Sequence, residues 1–209
     1  MQKLLKLKDY ISEFKQIIDQ IYGTYLDSTH GFHMIRKEKK KDQDDIIKRH
    51  KEWQESNQEY KNIPLSGSYY GYGRLQKQGQ RMHLHQATFE EIMFRNSPDG
   101  RNFILIANLC IVSIYQYWED HYRKLIAQCL GSNKDNIQVP LFADINFLRR
   151  SIIHNFGIAV HEADRCEILK WFKKLEPIQI TRDMFEQLID EILDCLDKME
   201  ANPNQFIVA

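Results

Sequence analysis

Apolar residues recur at three- and four-residue steps near the start of the chain, at Leu4, Leu7, Ile11, Phe14, Ile18 and Ile21, which puts them on one stripe of a helix. The spacing predicts a first helix over that stretch. Residues 36–61 break the pattern: the run from Arg36 to Lys41 is followed by Asp42, Asp44 and Asp45 and then by Lys48 and Arg49, with Ile46, Ile47 and Trp53 as the few apolar anchors. A charge run of this kind reads as a solvated, partly helical face, with an RNA-tracking surface as the alternative. Between Pro64 and Gly100 the character changes again. Gly67, Gly71, Gly73, Gly79 and Gly100, together with Tyr69, Tyr70 and Tyr72, supply turn chemistry and β-friendly aromatics, and predict a small hairpin or an irregular flap. Thr88 and Glu91 have the spacing of a capping box, in which a hydroxyl and a carboxylate satisfy free backbone amides. A short helix is therefore expected from Phe89, stopping by Pro98.

From Phe103 onward the pattern is densely helical. Phe103, Ala107, Cys110, Ile114, Trp118 and Leu125 share one side, and Leu105, Leu109 and Val112 are also apolar, which predicts a central helix buried on most sides in its first half. Gly131 and Ser132 end it, Pro140 marks a restart, and a helix from about Asp144 to His154 is expected to finish near Gly157, a residue suited to a left-handed turn. A further helix over about Ala163 to Leu175, closed by Pro177, precedes a last one capped by Thr181 with the stripe Phe185, Leu188, Ile192, Leu196 and Met199. The expected fold class is all-α. One elaborated domain spans 1–209, with 23–100 as an insertion between the first helix and the core helices, and 103–199 as the core.

At 43% hydrophobic and 28% charged residues the chain has the composition of a packed globular protein, which excludes a disordered one. Basic and acidic residues balance at 29 each, so no overall positive field draws it onto nucleic acid and any RNA contact has to come from a local patch. The four cysteines contain no Cys-x-x-Cys pair and the start is not signal-like, which points to a reducing, cytoplasmic home. The most apolar run, Phe103 to Trp118, is interrupted by Asn108, Ser113 and Gln116 and is short for a bilayer, so no membrane is expected. His83 with His85, and His30 with His33, lack the cysteine or carboxylate cluster that would complete a metal site. Neither a Gly-rich phosphate loop nor a serine-centred elbow is present, and no cofactor is expected.

The chemistry-bearing stretch is Leu148-Arg149-Arg150-Ser151-Ile152-Ile153-His154-Asn155. Arginine binds phosphate oxygens with a planar, permanently charged fork, and histidine takes or gives a proton near neutral pH, so the pair suits activation of a ribose 2′-hydroxyl without a metal. At about 100° per residue, and counting from Ile145, Leu148 and Ile152 fall on the buried side. On the same count Arg150 at about 140° and His154 at about 180° share the opposite face and are expected to be neighbours, while Arg149 at about 40° lies beside the apolar stripe and either snorkels outward or serves an interface. The plain alternative is that cations at the end of a helix only complement its dipole.

Arg149 to His154, with four residues between, resembles the Arg-x(4–6)-His signature of the HEPN superfamily (higher eukaryotes and prokaryotes nucleotide-binding). Ile114-Tyr115-Gln116-Tyr117-Trp118-Glu119 resembles the Trp-Glu helix of prokaryotic members, and Ile152 to Ala159 resembles the run that follows their arginine. The resemblance covers 103–199. It implies a helical bundle that forms a homodimer with both signatures lining one composite cleft, and metal-independent RNA cleavage to a 2′,3′-cyclic phosphate, of the toxin or anti-phage-defence kind. On that reading His154 is the acid-base residue and Arg149 the phosphate binder, with Arg150, Asn155 and Glu119 in support. The family often has Asn, Asp or His directly after the arginine. Here Arg150 stands there, which fits either a second phosphate contact or a site that binds RNA without cutting it. A silent module that binds RNA or a protein partner, such as an antitoxin or a defence ATPase, is the alternative. Tyr70, Tyr72 and Arg74 suit RNA on either view, since rings stack on unpaired bases and cations follow the backbone.

Overall fold

The computed structural model describes residues 2–57, 59, 69–75 and 81–208; the side chains of 69, 72–75 and 81–83, and the turn glycines Gly67 and Gly79, lie outside the described residues. The fold is all-α with one small two-stranded sheet. The chain divides into two compact units, one made of 1–28 with 104–209 and the other of 29–103.

The first helix, α1, runs from Gln2 to Ser56 and so carries the helix far beyond the expected stripe, with the charged segment fully helical to Ser56. A glycine such as Gly23 costs only about 1 kcal/mol in a helix interior. No proline interrupts 2–56, and the ion pairs Lys39–Asp42 and Lys48–Glu52 are at helical spacing.

In the larger unit the first part of α1 buries Leu7, Ile11, Phe14 and Ile18, the spacing having selected the right face, and adds Tyr25. It packs in one core with α3 (Arg101–Tyr117, of which the part from 104 belongs here), α4 (Arg123–Leu130), α5 (Pro140–His154) and α6 (Arg182–Ala201). The centre is aromatic: Trp118 stacks on Phe142 with ring centroids 4.0 Å apart, Phe14 on Tyr122 at 4.6 Å, and Tyr25 meets Phe185 at 4.2 Å. Burial of such rings contributes about 1.5–3 kcal/mol each.

A π-helical turn, Trp118–Tyr122, joins α3 to α4, with the Arg123 N–H donating to the Trp118 carbonyl five residues back. This turn inserts one residue into the helical frame, so the buried stripe passes from Trp118 to Tyr122 and Ile126. Leu125, expected on the buried side, is displaced to a half-buried position for that reason. Phe103 also leaves the stripe, packing on Phe32 in the smaller unit with centroids 5.5 Å apart. The expectation that the first half of this helix is buried on most sides fails as well: Leu105 and Leu109 are 52% and 51% exposed, because the core lies only on the side of Ala107, Cys110, Ile111 and Ile114.

Gly131, at φ +69°, closes α4 as its position after the last periodic residue predicts. Pro140 opens α5 as its first residue, four positions ahead of the expected start at Asp144. Thr181 caps α6, its hydroxyl accepting from the Met184 N–H at 3.3 Å. The expected helix over 163–175 does not form. A single 3-10 turn, His161–Arg165, gives way to irregular chain, because side-chain carboxylates hold the amides a helix would need. The Asp144 carboxylate accepts from the N–H groups of Glu167, Ile168 and Leu169 at 3.1, 2.7 and 2.8 Å, and Asp164 accepts from Lys174 N–H at 3.1 Å.

The smaller unit holds the second half of α1, an antiparallel hairpin of β1 (Tyr69–Leu75) and β2 (Arg81–Thr88), and α2 (Phe89–Arg95). The register shifts between Tyr72 and Gly73, which pair with His85 and His83, so that Leu84 of β2 is the extra residue of a bulge. The capping box forms as its spacing predicts: Thr88 Oγ1 accepts from Glu91 N–H at 3.1 Å, and the Glu91 carboxylate accepts from Thr88 N–H at 2.6 Å.

Candidate functional site

The buried face of α5 is set by Leu141, Phe142, Ile145 and Leu148, and two polar residues sit among them. Asp144 is 1% exposed and holds the 167–169 backbone as described above. Ser151, equally buried, donates to the Phe147 carbonyl at 2.7 Å and accepts from the Val160 N–H at 3.0 Å. Together they fasten the two irregular segments that flank the end of α5. Neither was singled out from the sequence as functional, yet the signal was present. Asp144 stands three residues after Leu141 and four before Leu148, and Ser151 three after Leu148, which is the buried period.

Arg149 lies at the edge of this face, as its helical angle predicts. Its guanidinium carbon is 5.5 Å from the centroid of the Tyr115 ring on α3, and its Nε is buried with no hydrogen-bond partner among the described residues. Burial first, and then the negative charge of Glu119, pushes the Tyr115 phenol above its usual pKa. Arg150 stands four residues before His154 on the same helix, one turn away as the count predicts, and its guanidinium pairs with Glu162 at 3.2 Å, because the 3-10 turn returns alongside α5 and presents that carboxylate. His154 is exposed at the last position of α5, with no partner among the described residues. Asn155 follows it and donates from Nδ2 to the Ile158 carbonyl at 2.8 Å, so its amide shapes the exit loop.

That loop is unusual. Phe156 adopts φ +54°, a left-handed conformation costly for a side chain with a Cβ, and is 99% exposed. Gly157 follows at φ +77°, as expected for a residue placed there, and its N–H donates to the Ser151 carbonyl at 2.9 Å. The loop pairs with 175–178 through Ala159 N–H to the Glu176 carbonyl at 2.8 Å and Ile178 N–H to the Gly157 carbonyl at 2.7 Å. Leu175, on the paired segment, is also at positive φ, +68°, and exposed. Ile153 is half exposed as well, so the end of α5, its exit loop and the segment paired with that loop present the apolar side chains of Ile153, Phe156 and Leu175 to solvent.

Glu119 lies in the π-helical turn and bonds to Arg123 at 2.7 Å and to Lys134 at 2.8 Å. Burial alone would push its carboxyl up, but the bonds from Lys134 and Arg123 outweigh it and hold the group below its usual pKa. Its carboxylate is therefore committed to tying α4 to the 134–136 turn, and it is not brought to His154. Tyr115 and Glu119 also line a cleft of about 370 Å³, with Arg123, Gln138, Asn146 and Glu167 among its other walls. None of its lining other than Glu119 was anticipated.

In the smaller unit, the ring of Tyr70 receives the ammonium of Lys39 at 5.1 Å, and its hydroxyl is buried without a partner among the described residues. Tyr72 and Arg74 occupy the hairpin opposite His85 and Met82, but their side chains lie outside the described residues. Among the described residues no group of three or more His, Cys, Asp or Glu is placed to hold a metal ion, and no helix is long and apolar enough to cross a membrane. The cysteines are free. Burial pushes the Cys110 and Cys195 thiols up to about 11, and burial followed by the charge of Asp144 pushes Cys166 to about 12, the opposite of nucleophile activation.

No family model matches the chain, no curated protein matches it, and no solved structure matches it.

Proposed function

We propose that the chain is a metal-independent endoribonuclease that works as a homodimer. In the reaction His154 takes the proton of a ribose 2′-hydroxyl, the 2′-oxygen attacks the adjacent phosphorus, and the bond to the 5′-oxygen breaks as that oxygen gains a proton. The products are a 2′,3′-cyclic phosphate and a free 5′-hydroxyl. Arg149 binds the phosphate oxygens, on which negative charge builds in the transition state. The observation that carries this reading is the state of the two signature residues at the end of α5. An imidazole stands open to solvent, and an arginine five residues earlier has a buried Nε with no partner among the described residues. Five residues on a helix separate the two side chains by about 140°, so a single copy does not aim both at one phosphate. Two copies meeting over the exposed apolar side chains of Ile153, Phe156 and Leu175 would supply a shared cleft and cover surface that one copy exposes.

The test is cleavage of mixed RNA in EDTA. Wild type should cut, and His154→Ala should lose about 100-fold or more in rate while remaining folded and dimeric. An Arg149→Ala variant should fall with it. A wild-type protein that leaves RNA intact with or without divalent metals, together with a His154→Ala chain no less harmful to cells than wild type, would end the proposal.

A second reading has its own observation. Arg150 is held by Glu162 and the Arg149 guanidinium rests on Tyr115, so both cations have occupations inside the chain. That suits a catalytically silent module that binds RNA or a protein partner, an antitoxin or a defence ATPase, in which case the same assay gives RNA binding or a stable protein complex without cleavage.

A further inference from the structure

We infer that the cleft between the π-helical turn and the start of α5 is a nucleobase pocket that selects guanine next to the scissile phosphate. This rests on the ribonuclease reading, and it adds to that reading a substrate preference.

The placement comes first. Tyr115 is shared: one part of it lines the cleft and its ring carries the Arg149 guanidinium at 5.5 Å. Asn146, on the cleft wall, lies one helical turn before Arg149 on α5, so the two side chains leave neighbouring positions of one helix face. A phosphate bound by Arg149 would therefore have its attached nucleoside within reach of the cleft. The volume, about 370 Å³, falls within the range of built small-molecule sites.

The lining then supplies the chemistry. Tyr115 gives aromatic surface, and Pro140 an apolar edge, for a planar ring to lie against, while Trp118 lines the cleft as a buried ring already stacked on Phe142. Gln138, Asn146 and Glu167 add polar groups, and no side-chain hydrogen bond engages any of the three among the described residues. Glu119 and Arg123 also face the cleft but already bind each other. The open carboxylate of Glu167 sets the preference. Guanine presents two N–H donors side by side on its pairing edge, the complement of a carboxylate's two acceptor oxygens, and Asn146 has an amide left to meet the guanine carbonyl. Uracil offers one donor between two acceptors and leaves the carboxylate facing a carbonyl.

The experiment maps cut sites on a random-sequence RNA in EDTA for wild type, Glu167→Gln and Asn146→Ala, and separately titrates each protein with guanosine and uridine 5′-monophosphates, following the signals of Trp118 and Tyr115 by NMR. The expected result is guanine enriched at one position beside the cut by wild type, a fall of about tenfold in that enrichment in Glu167→Gln, and guanosine monophosphate shifts at Trp118 that the variant loses. Cutting without guanine enrichment, or with enrichment unchanged in both variants, overturns the pocket while leaving the ribonuclease reading intact. Guanosine binding lost in Glu167→Gln by a protein that cuts no RNA supports the pocket and overturns the ribonuclease reading. Absence of both cutting and nucleotide binding overturns both. Because Glu167 is exposed, its variant should unfold at the wild-type midpoint, which separates loss of selectivity from loss of fold.

Discussion

Along the buried side of α5, Asp144 and Ser151 have their oxygens engaged by backbone groups of the same chain, whereas at the exposed end of the helix His154 has no partner among the described residues and Phe156 stands clear of the protein in a strained conformation. Both regions lie within one short helix and its exit loop, and both contain polar groups. The difference lies in who answers them. On the buried side every bond closes inside the chain and fixes the shape of 155–178; at the exposed end the chain leaves its groups open, so that geometry made by the first region is presented by the second.

The largest break in this comparison should come from Asp144→Ala, which removes the acceptor of three backbone N–H groups at once. A loss of about 3 kcal/mol in urea unfolding is expected, at roughly 1–3 kcal/mol for each buried donor left unmatched. His154→Ala is its counterpart: an exposed side chain with no partner among the described residues should leave the unfolding free energy within about 0.5 kcal/mol of wild type while, on the proposed function, removing cleavage. A midpoint that moves as far for His154 as for Asp144 would erase the distinction. Ser151→Ala should cost about 1–2 kcal/mol, since the Val160 N–H loses its acceptor, and should loosen the exit loop as seen by faster amide exchange at Gly157 and Val160. The smallest effect is of opposite sign. Phe156→Gly relieves a positive φ at a residue that is 99% exposed, and should stabilise the monomer by about 0.5 kcal/mol, the relief being partly offset by glycine's flexibility when unfolded. The same substitution should weaken self-association in sedimentation if Phe156 is a subunit contact.

Local rules were legible where they involve a few adjacent residues. The Thr88 and Glu91 capping box, the Thr181 cap, the helix end at Gly131, the left-handed Gly157 and the hairpin around Tyr70 all follow from what a residue does to its own stretch of backbone. The angular position of Arg149 beside the apolar stripe was equally readable, because 100° per residue is fixed by the helix itself. What failed depended on partners distant in sequence. The helix expected over 163–175 is lost because a carboxylate about twenty residues earlier takes its amides. The ion pair that Arg150 makes with Glu162 was likewise not readable from the helix count, which placed Arg150 only on the face of His154. Leu125 is displaced by a π-helical turn whose two rings, Trp118 and Tyr122, pack against Phe142 and Phe14.

The sequence by itself therefore determined an all-α chain, the buried stripes at the start of α1 and along α6, the caps at Thr88 and Thr181, and the presence of an arginine and a histidine at one helix end, because periodicity and local hydrogen bonding need only near neighbours. Tertiary structure alone decided that Arg149 rests on Tyr115 over a polar cleft, that Asp144 is a clamp, and that His154 is left open. Each of these depends on which remote group reaches a given side chain first, and that is settled by packing.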